Sequence, residues 1–148
     1  NRVCIYGGSY GGYATMAGLT FTPDLYKCGV NVVGVTDVGL LFTSMPTTWE
    51  PMKDVMKIQI GDPEDEALMK RMSPIDHVKN IKAPVFIIHG RRDVRVVMKH
   101  ADLLKERLEA FDKPYEWLVK NNEGHGFRKV ENRIEMYEKL EKFLAKNL

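Results

Sequence analysis

The chain has 148 residues, 44% of them hydrophobic and 28% charged, with a formal net charge of +2. That length supports one domain with its own core, and that composition excludes an intrinsically disordered chain. The small net charge leaves no electrostatic footprint for nucleic acid or an anionic membrane, and no apolar run approaches membrane-spanning length.

Taken in chain order, Arg2 to Tyr6 is a short apolar run that reads as a strand. It passes directly into Gly7-Gly8-Ser9-Tyr10-Gly11-Gly12, and Tyr13 to Phe21 continues as a helix up to the stop at Pro23. Gly29 to Val35 is β-branched and apolar, a second strand. The stretch 38–74 is mixed, with helices expected at Glu50 to Ile60 and Glu64 to Met72. Val85 to Ile88 is apolar at every position, as a strand inside a parallel sheet must be. Val96 to Phe111 is helical, with Ala101, Leu104, Leu108 and Phe111 on one face. Tyr115 to Val119 is a fourth strand, and 128–147 forms a last helix expected to bury Ile134, Tyr137, Leu140 and Leu144. Strands alternating with helices predict an α/β fold: about four parallel strands flanked by helices on both faces. Cys4 and Cys28 form no recognisable framework and read as reduced core thiols. No signal peptide is visible, but the chain opens on Asn rather than Met, so its compartment stays unread.

Chemistry concentrates at Gly7-Gly8-Ser9-Tyr10-Gly11, a Gly-x-Ser-x-Gly motif between a strand and a helix. That layout presents a serine on a sharp turn with an open path of attack, flanked by residues small enough for strand and helix to approach. Gly7 and Gly11 meet that need, and the Tyr10 N–H is placed to donate to an oxyanion. A serine hydroxyl needs a neighbouring base. Of four histidines, His125 lies in Glu-Gly-His-Gly-Phe just after the fourth strand, in a turn able to bring an imidazole to Ser9. His89 runs straight into a turn and reads as structural, whereas His77 and His100 fall in helical stretches, surface or partly buried. The orienting acid is Asp93, just beyond the third strand, with Asp37 after the second as a rival. The order Ser9, Asp93, His125 is that of nucleophile, acid and base in α/β-hydrolases. No metal-binding spacing and no phosphate-binding glycine loop occurs, so no cofactor is expected.

With these residues the chain resembles the C-terminal part of the α/β-hydrolase catalytic domain of prolyl oligopeptidase family serine peptidases, in an acylaminoacyl-peptidase-like branch. The matching segments are 7–13, Val-Thr-Asp at 35–37, Gln-Ile-Gly-Asp-Pro at 59–63 and Ser-Pro-Ile at 73–75. They continue with His-Gly-Arg-Arg-Asp-Val-Arg-Val at 89–96 and Glu-Gly-His-Gly-Phe at 123–127. The resemblance implies Ser9, Asp93 and His125 as catalytic residues, Tyr10 as oxyanion donor, and Arg95 as ligand of a substrate carbonyl. It also implies that residues 1–148 lack an upstream half-sheet and a β-propeller, and with them a second oxyanion donor. The family usually has proline where this chain has Val97. The pocket that holds the residue before the scissile bond is expected to include residues from 38–60, with Phe42, Trp49 and Met52 as its apolar candidates.

The expected function is hydrolysis of short peptides through an acyl-enzyme. A carboxylesterase-like hydrolase and a catalytically silent fragment that self-associates stand as alternatives. The strand Val3 to Tyr6 is expected to be an unpaired apolar edge, which a second copy or an upstream fragment could cover.

Overall fold

In the computed structural model, which describes residues 2–148, four strands form one sheet. They lie side by side in chain order, β1 (Cys4–Gly8), β2 (Cys28–Val32), β3 (Val85–Gly90) and β4 (Tyr115–Lys120). Every neighbouring pair is parallel, so the C-terminal ends of all four strands open on one rim. The helices are α1 (Tyr10–Phe21), α2 (Val38–Ser44), α3 (Lys53–Ile60), α4 (Glu66–Met72), α5 (Lys99–Ala110) and α6 (Val130–Asn147). Short 3₁₀ segments occupy Thr47–Met52 and Pro74–Asn80.

The alternation of side chains along β3 explains the layering. Val85 and Ile87 face a core built from Met16 and Leu19 of α1 and Ala101, Leu104 and Leu108 of α5. Phe86 and Ile88 point the other way, into a core closed by Met136 and Phe143 of α6. Being covered on both faces is why β3 is buried throughout and apolar from Val85 to Ile88. A third, smaller cluster of Val38, Phe42 and Met69 lies under α2 to α4.

Several boundaries differ from expectation for local reasons. β2 ends at Val32 rather than Val35, because Val33 takes a left-handed φ of 46° and turns the chain out of the sheet. The expected helix over 50–60 is split: Pro51 sits in the 3₁₀ segment and the α-helix begins at Lys53. α2 was hidden in the mixed stretch, and it is started by Asp37, whose Oδ1 accepts from the Leu40 N–H at 2.9 Å. The acid weighed as a rival to Asp93 is thus a helix cap.

The last helix buries a different stripe. Asn132, Met136 and Phe143 are inside and Leu140 and Leu144 pack against them, but Ile134 and Tyr137 are about half exposed, at 53% and 52%. Tyr137 lies beside exposed Val3 and Tyr6 along the outer side of β1. Cys4 and Cys28 are not reduced thiols but a disulfide. They are register partners on β1 and β2, with Cα atoms 4.6 Å apart, which faces one sulfur onto the other.

His100 is also placed differently from expectation, fully buried at the start of α5. Its Nδ1 accepts from the Thr36 N–H at 3.3 Å, and its carbonyl accepts from Thr36 Oγ1 at 2.9 Å. Burial pushes its pKa down from 6.5 to about 4, against a partial pull upward from Asp37 and Asp93. The unfolded chain therefore takes up this proton near 6.5 while the folded one stays neutral. The difference amounts to about 3 kcal/mol. Stability is complete above 6.5 and is lost as the pH falls from there towards 4. Denaturant titrations across that range should show the decline, and His100→Gln should lose much of the slope. An unchanged slope in the variant would contradict this assignment.

Candidate active site

Ser9 occupies the single residue between β1 and α1, with φ 57° and ψ −118°. Such a backbone is costly for a residue with a side chain and persists only where its surroundings hold it. Its N–H donates to Val32 O at 2.9 Å across to β2, and its carbonyl accepts from the Tyr13 N–H at 3.1 Å within the helix start. The strand and helix around it nearly touch. A methyl group at Gly7 would lie 2.0 Å from Gly11 O, and one at Gly12 would lie 2.5 Å from the Gly34 Cα. A methyl group at Gly11 would meet open space, so the steric demand falls on Gly7 and Gly12 rather than on Gly7 and Gly11.

The loop after β3 brings Asp93 to the rim. Its side chain is wholly buried, and Oδ1 accepts from the backbone N–H groups of Arg95 at 2.8 Å and Val96 at 3.0 Å. Oδ2 faces His125 Nδ1 at 2.7 Å. His125 sits after β4, in a loop where Gly124 and Gly126 bridge each other and Gly126 has φ 94°. Its Nε2 lies 2.8 Å from Ser9 Oγ. The tautomer follows from chemistry. A carboxylate only accepts, so Nδ1 carries the proton, and Nε2 of the neutral ring is left to accept from the serine hydroxyl. Ser9, His125 and Asp93 thus form one continuous hydrogen-bonded path.

His89 supports the Asp93 loop from below. It is buried at the end of β3 with its Nε2–H donating to Val96 O at 2.8 Å, which holds the turn whose Val96 N–H reaches Asp93. Burial lowers its pKa, opposed by the Val96 bond and the Asp93 charge, so it stands 3.7 Å from Asp93 Oδ2 as a neutral ring. His77 is half-buried on the second 3₁₀ segment, its ring against Phe21 and its Nε2 against the Lys70 and Arg71 carbonyls, and takes no part in the path to Ser9.

A cavity of about 350 Å³ opens beside Ser9 and Tyr10, walled mainly by Val38, Leu41, Trp49, Met56 and Ile60. Of the three apolar candidates, Trp49 lines it. Phe42 does not: it is 5% exposed and packs in the cluster with Val38 and Met69. Met52 does not either, lying half exposed on the 3₁₀ segment, while Met56, one helical turn on, reaches the cavity in its place. Leu41 and Ile60 line it as well, inside the expected 38–60 region but not among the three candidates. They belong to α2, which the sequence did not reveal, and to the end of α3. Tyr10 is the first residue of α1, so its N–H has no intrahelical acceptor. Arg95 lies exposed on the other side of His125, in a cleft with Arg92, Arg128 and Lys129. Glu123, two residues before His125, is buried at the base of that loop, which nothing in the sequence signals.

A serine, a histidine and a buried aspartate on three loops at the C-terminal rim of a parallel sheet define the α/β-hydrolase class of site. Residues 1–148 match the Prolyl oligopeptidase family throughout, and the chain belongs to that family. It is 37% identical over 151 residues to dipeptidyl aminopeptidase BIII of Pseudoxanthomonas mexicana, covering 100% of this chain and 22% of that protein. It is 36% identical over 152 residues to dipeptidyl peptidase family member 6 of Caenorhabditis elegans, covering 100% and 20%. Among solved structures it superposes on an acylaminoacyl peptidase in complex with Z-Gly-Gly-Phe-chloromethyl ketone with a TM-score of 0.89. That pair is 26% identical, over 99% of this chain and 24% of the other. The chain spans about a fifth of the length of these two curated relatives.

The close approach at Gly7 makes a simple test. Gly7→Ala must push β1 from α1, and should lower stability by about 1–3 kcal/mol, whereas Gly11→Ala should change it little. Thermal unfolding of the pair checks this, and equal effects would contradict the steric account.

Proposed function

We propose that this chain carries the reactive serine of a peptidase that hydrolyses short peptides through an acyl-enzyme. The observation that carries the reading is the path from Ser9 Oγ to His125 Nε2 and from His125 Nδ1 to Asp93 Oδ2, at 2.8 and 2.7 Å. Family membership supports it.

In this reading His125 takes the Ser9 proton as Oγ attacks the scissile carbonyl. Asp93 holds the ring in its Nδ1–H tautomer and stabilises the imidazolium that forms. The developing oxyanion accepts from the Tyr10 N–H, at the positive end of α1. As the tetrahedral intermediate collapses, His125 gives the proton to the leaving amine, and the acyl group stays on Ser9. Water then enters, loses a proton to His125, and releases the acid by the same steps in reverse roles. The apolar cavity beside Ser9 takes the side chain before the scissile bond. Trp49, Leu41 and Met56 suit an apolar or aromatic one. The Phe-bearing ligand named with the solved acylaminoacyl peptidase agrees with that choice. Arg95 offers guanidinium donors to a substrate carbonyl.

A fluorophosphonate probe should label Ser9 and leave Ser9→Ala untouched, and Asp93→Asn should lower turnover on the order of 10⁴-fold. A folded chain that never labels would overturn the reading; turnover of esters without peptides would replace the peptidase by an esterase.

We also propose that the outer edge of β1 is covered by a further strand, from a second copy or an upstream segment. Val3 and Tyr6 are exposed at 44% and 55% on this edge, and unpaired apolar edges recruit partners. Light scattering of the 148-residue chain should show association that grows with concentration and weakens in Val3→Lys. A strict monomer at all concentrations would contradict it.

A further inference from the structure

Glu123 is a buried carboxylate that the chemistry at Ser9 does not use. It is 4% exposed, in a chain where most carboxylates face water. Its two oxygens are fully engaged. Oε2 accepts from the Arg128 N–H at 3.0 Å, and Oε1 accepts from the Lys129 N–H at 2.9 Å and from Asn132 Nδ2 at 2.8 Å. Its backbone is tied as well, with the carbonyl accepting from the Arg92 N–H at 2.9 Å.

These bonds close a ring. One end is Glu123 itself, anchored beside the residue before Asp93. The other is the start of α6, where Lys129 caps the helix without a side-chain bond of its own. Between the two ends stands a four-residue arch, Gly124 to Phe127, that carries His125. Arches with two glycines are intrinsically free, and here a methyl group at Gly90 would lie 2.2 Å from Gly124 O, so the arch sits directly on β3. We infer that Glu123 is a positioning residue for His125: its carboxylate clasps the arch at the start of α6 and so fixes the imidazole between Asp93 and Ser9. Burial alone would raise the carboxyl's pKa, but the bonds from Asn132, Arg128 and Lys129 outweigh it and hold it below the usual range. The clasp is therefore charged wherever a neutral imidazole could act as base. Its negative charge also lies at the favourable end of an 18-residue helix.

This inference rests on the proposed reading of Ser9 and His125, and its test separates the two. A glutamine at 123 keeps the shape but offers one acceptor oxygen. Whichever way its amide is turned, at least one of the three N–H groups faces a donor. In the full chain, Glu123→Gln should lower kcat per phosphonate-titrated serine by about 10- to 100-fold, since a displacement near 1 Å costs about that much. KM should move by no more than about twofold, because the acyl cavity is built from other elements. Asn132→Ala removes one bond of three and should show a smaller fall in the same direction. It decides the matter if the glutamine variant does not fold. Phe143→Leu, against Phe86 in the α6 core, is the structural control: it should lower the melting temperature yet keep kcat per titrated serine. A normal kcat in Glu123→Gln and Asn132→Ala, with Ser9→Ala inactive, would overturn the inference alone. Activity surviving in Ser9→Ala would instead remove the reading beneath it.

Discussion

The left-handed backbone of Ser9 is the constraint on which the site depends. A φ of 57° at a residue with a side chain must be over-determined by its neighbours. Here three features hold it: the bond from its N–H to Val32 O on β2, the bond from Tyr13 into its carbonyl, and the contact of Gly7 with the Gly11 backbone. Any extra atom at Gly7 would separate β1 from α1 and release the turn. Held in this way, the hydroxyl stands above the sheet rim with the first amide of α1 beside it.

The rest of the site is a matter of bringing two more loops to that point. Asp93 follows β3 and His125 follows β4, and parallel pairing brings both ends to the same rim as β1. Each loop is then fixed by consuming its polar groups. The Asp93 turn uses one carboxylate oxygen on its own backbone and the other on His125, while neutral His89 holds Val96 from beneath. The His125 arch is fixed by Glu123. Buried polar groups of this kind are costly when unpaired, so each engaged oxygen works against drift of the imidazole. The arrangement is held by hydrogen bonds at Asp93, His125 and Glu123 and by close steric contact at the glycines.

Much of this was legible in the sequence because it is local. The serine turn announces itself by glycines at fixed offsets, the four strands by apolar runs, and the acid and base by polar residues placed just after strands. What stayed hidden depends on contacts between distant segments. Cys4 and Cys28 become a disulfide only because strand register sets them opposite each other. His100, in a helical stretch, read as surface or partly buried, and its full burial depends on Thr36, 64 residues away in sequence. α2 is too short and too mixed to show a period, and without it Leu41 could not be assigned to the cavity nor Phe42 to the core. Ile134 and Tyr137 are apolar at helical spacing, yet both stay about half exposed, Tyr137 beside Val3 and Tyr6 on the outer side of β1. Glu123 carried no signal of its own, since nothing in the sequence shows that its carboxylate is buried.

The central claim is that His125 is held as the Nδ1–H tautomer between a buried carboxylate and the serine hydroxyl. Nuclear magnetic resonance of ring-nitrogen-labelled histidine reads this directly at neutral pH. The account predicts a protonated Nδ1 on His125, with its proton well downfield of the amides and lost in Asp93→Asn, and an unprotonated Nε2 that responds to Ser9→Ala. A His125 ring that exchanges freely between tautomers, or carries its proton on Nε2, would contradict it.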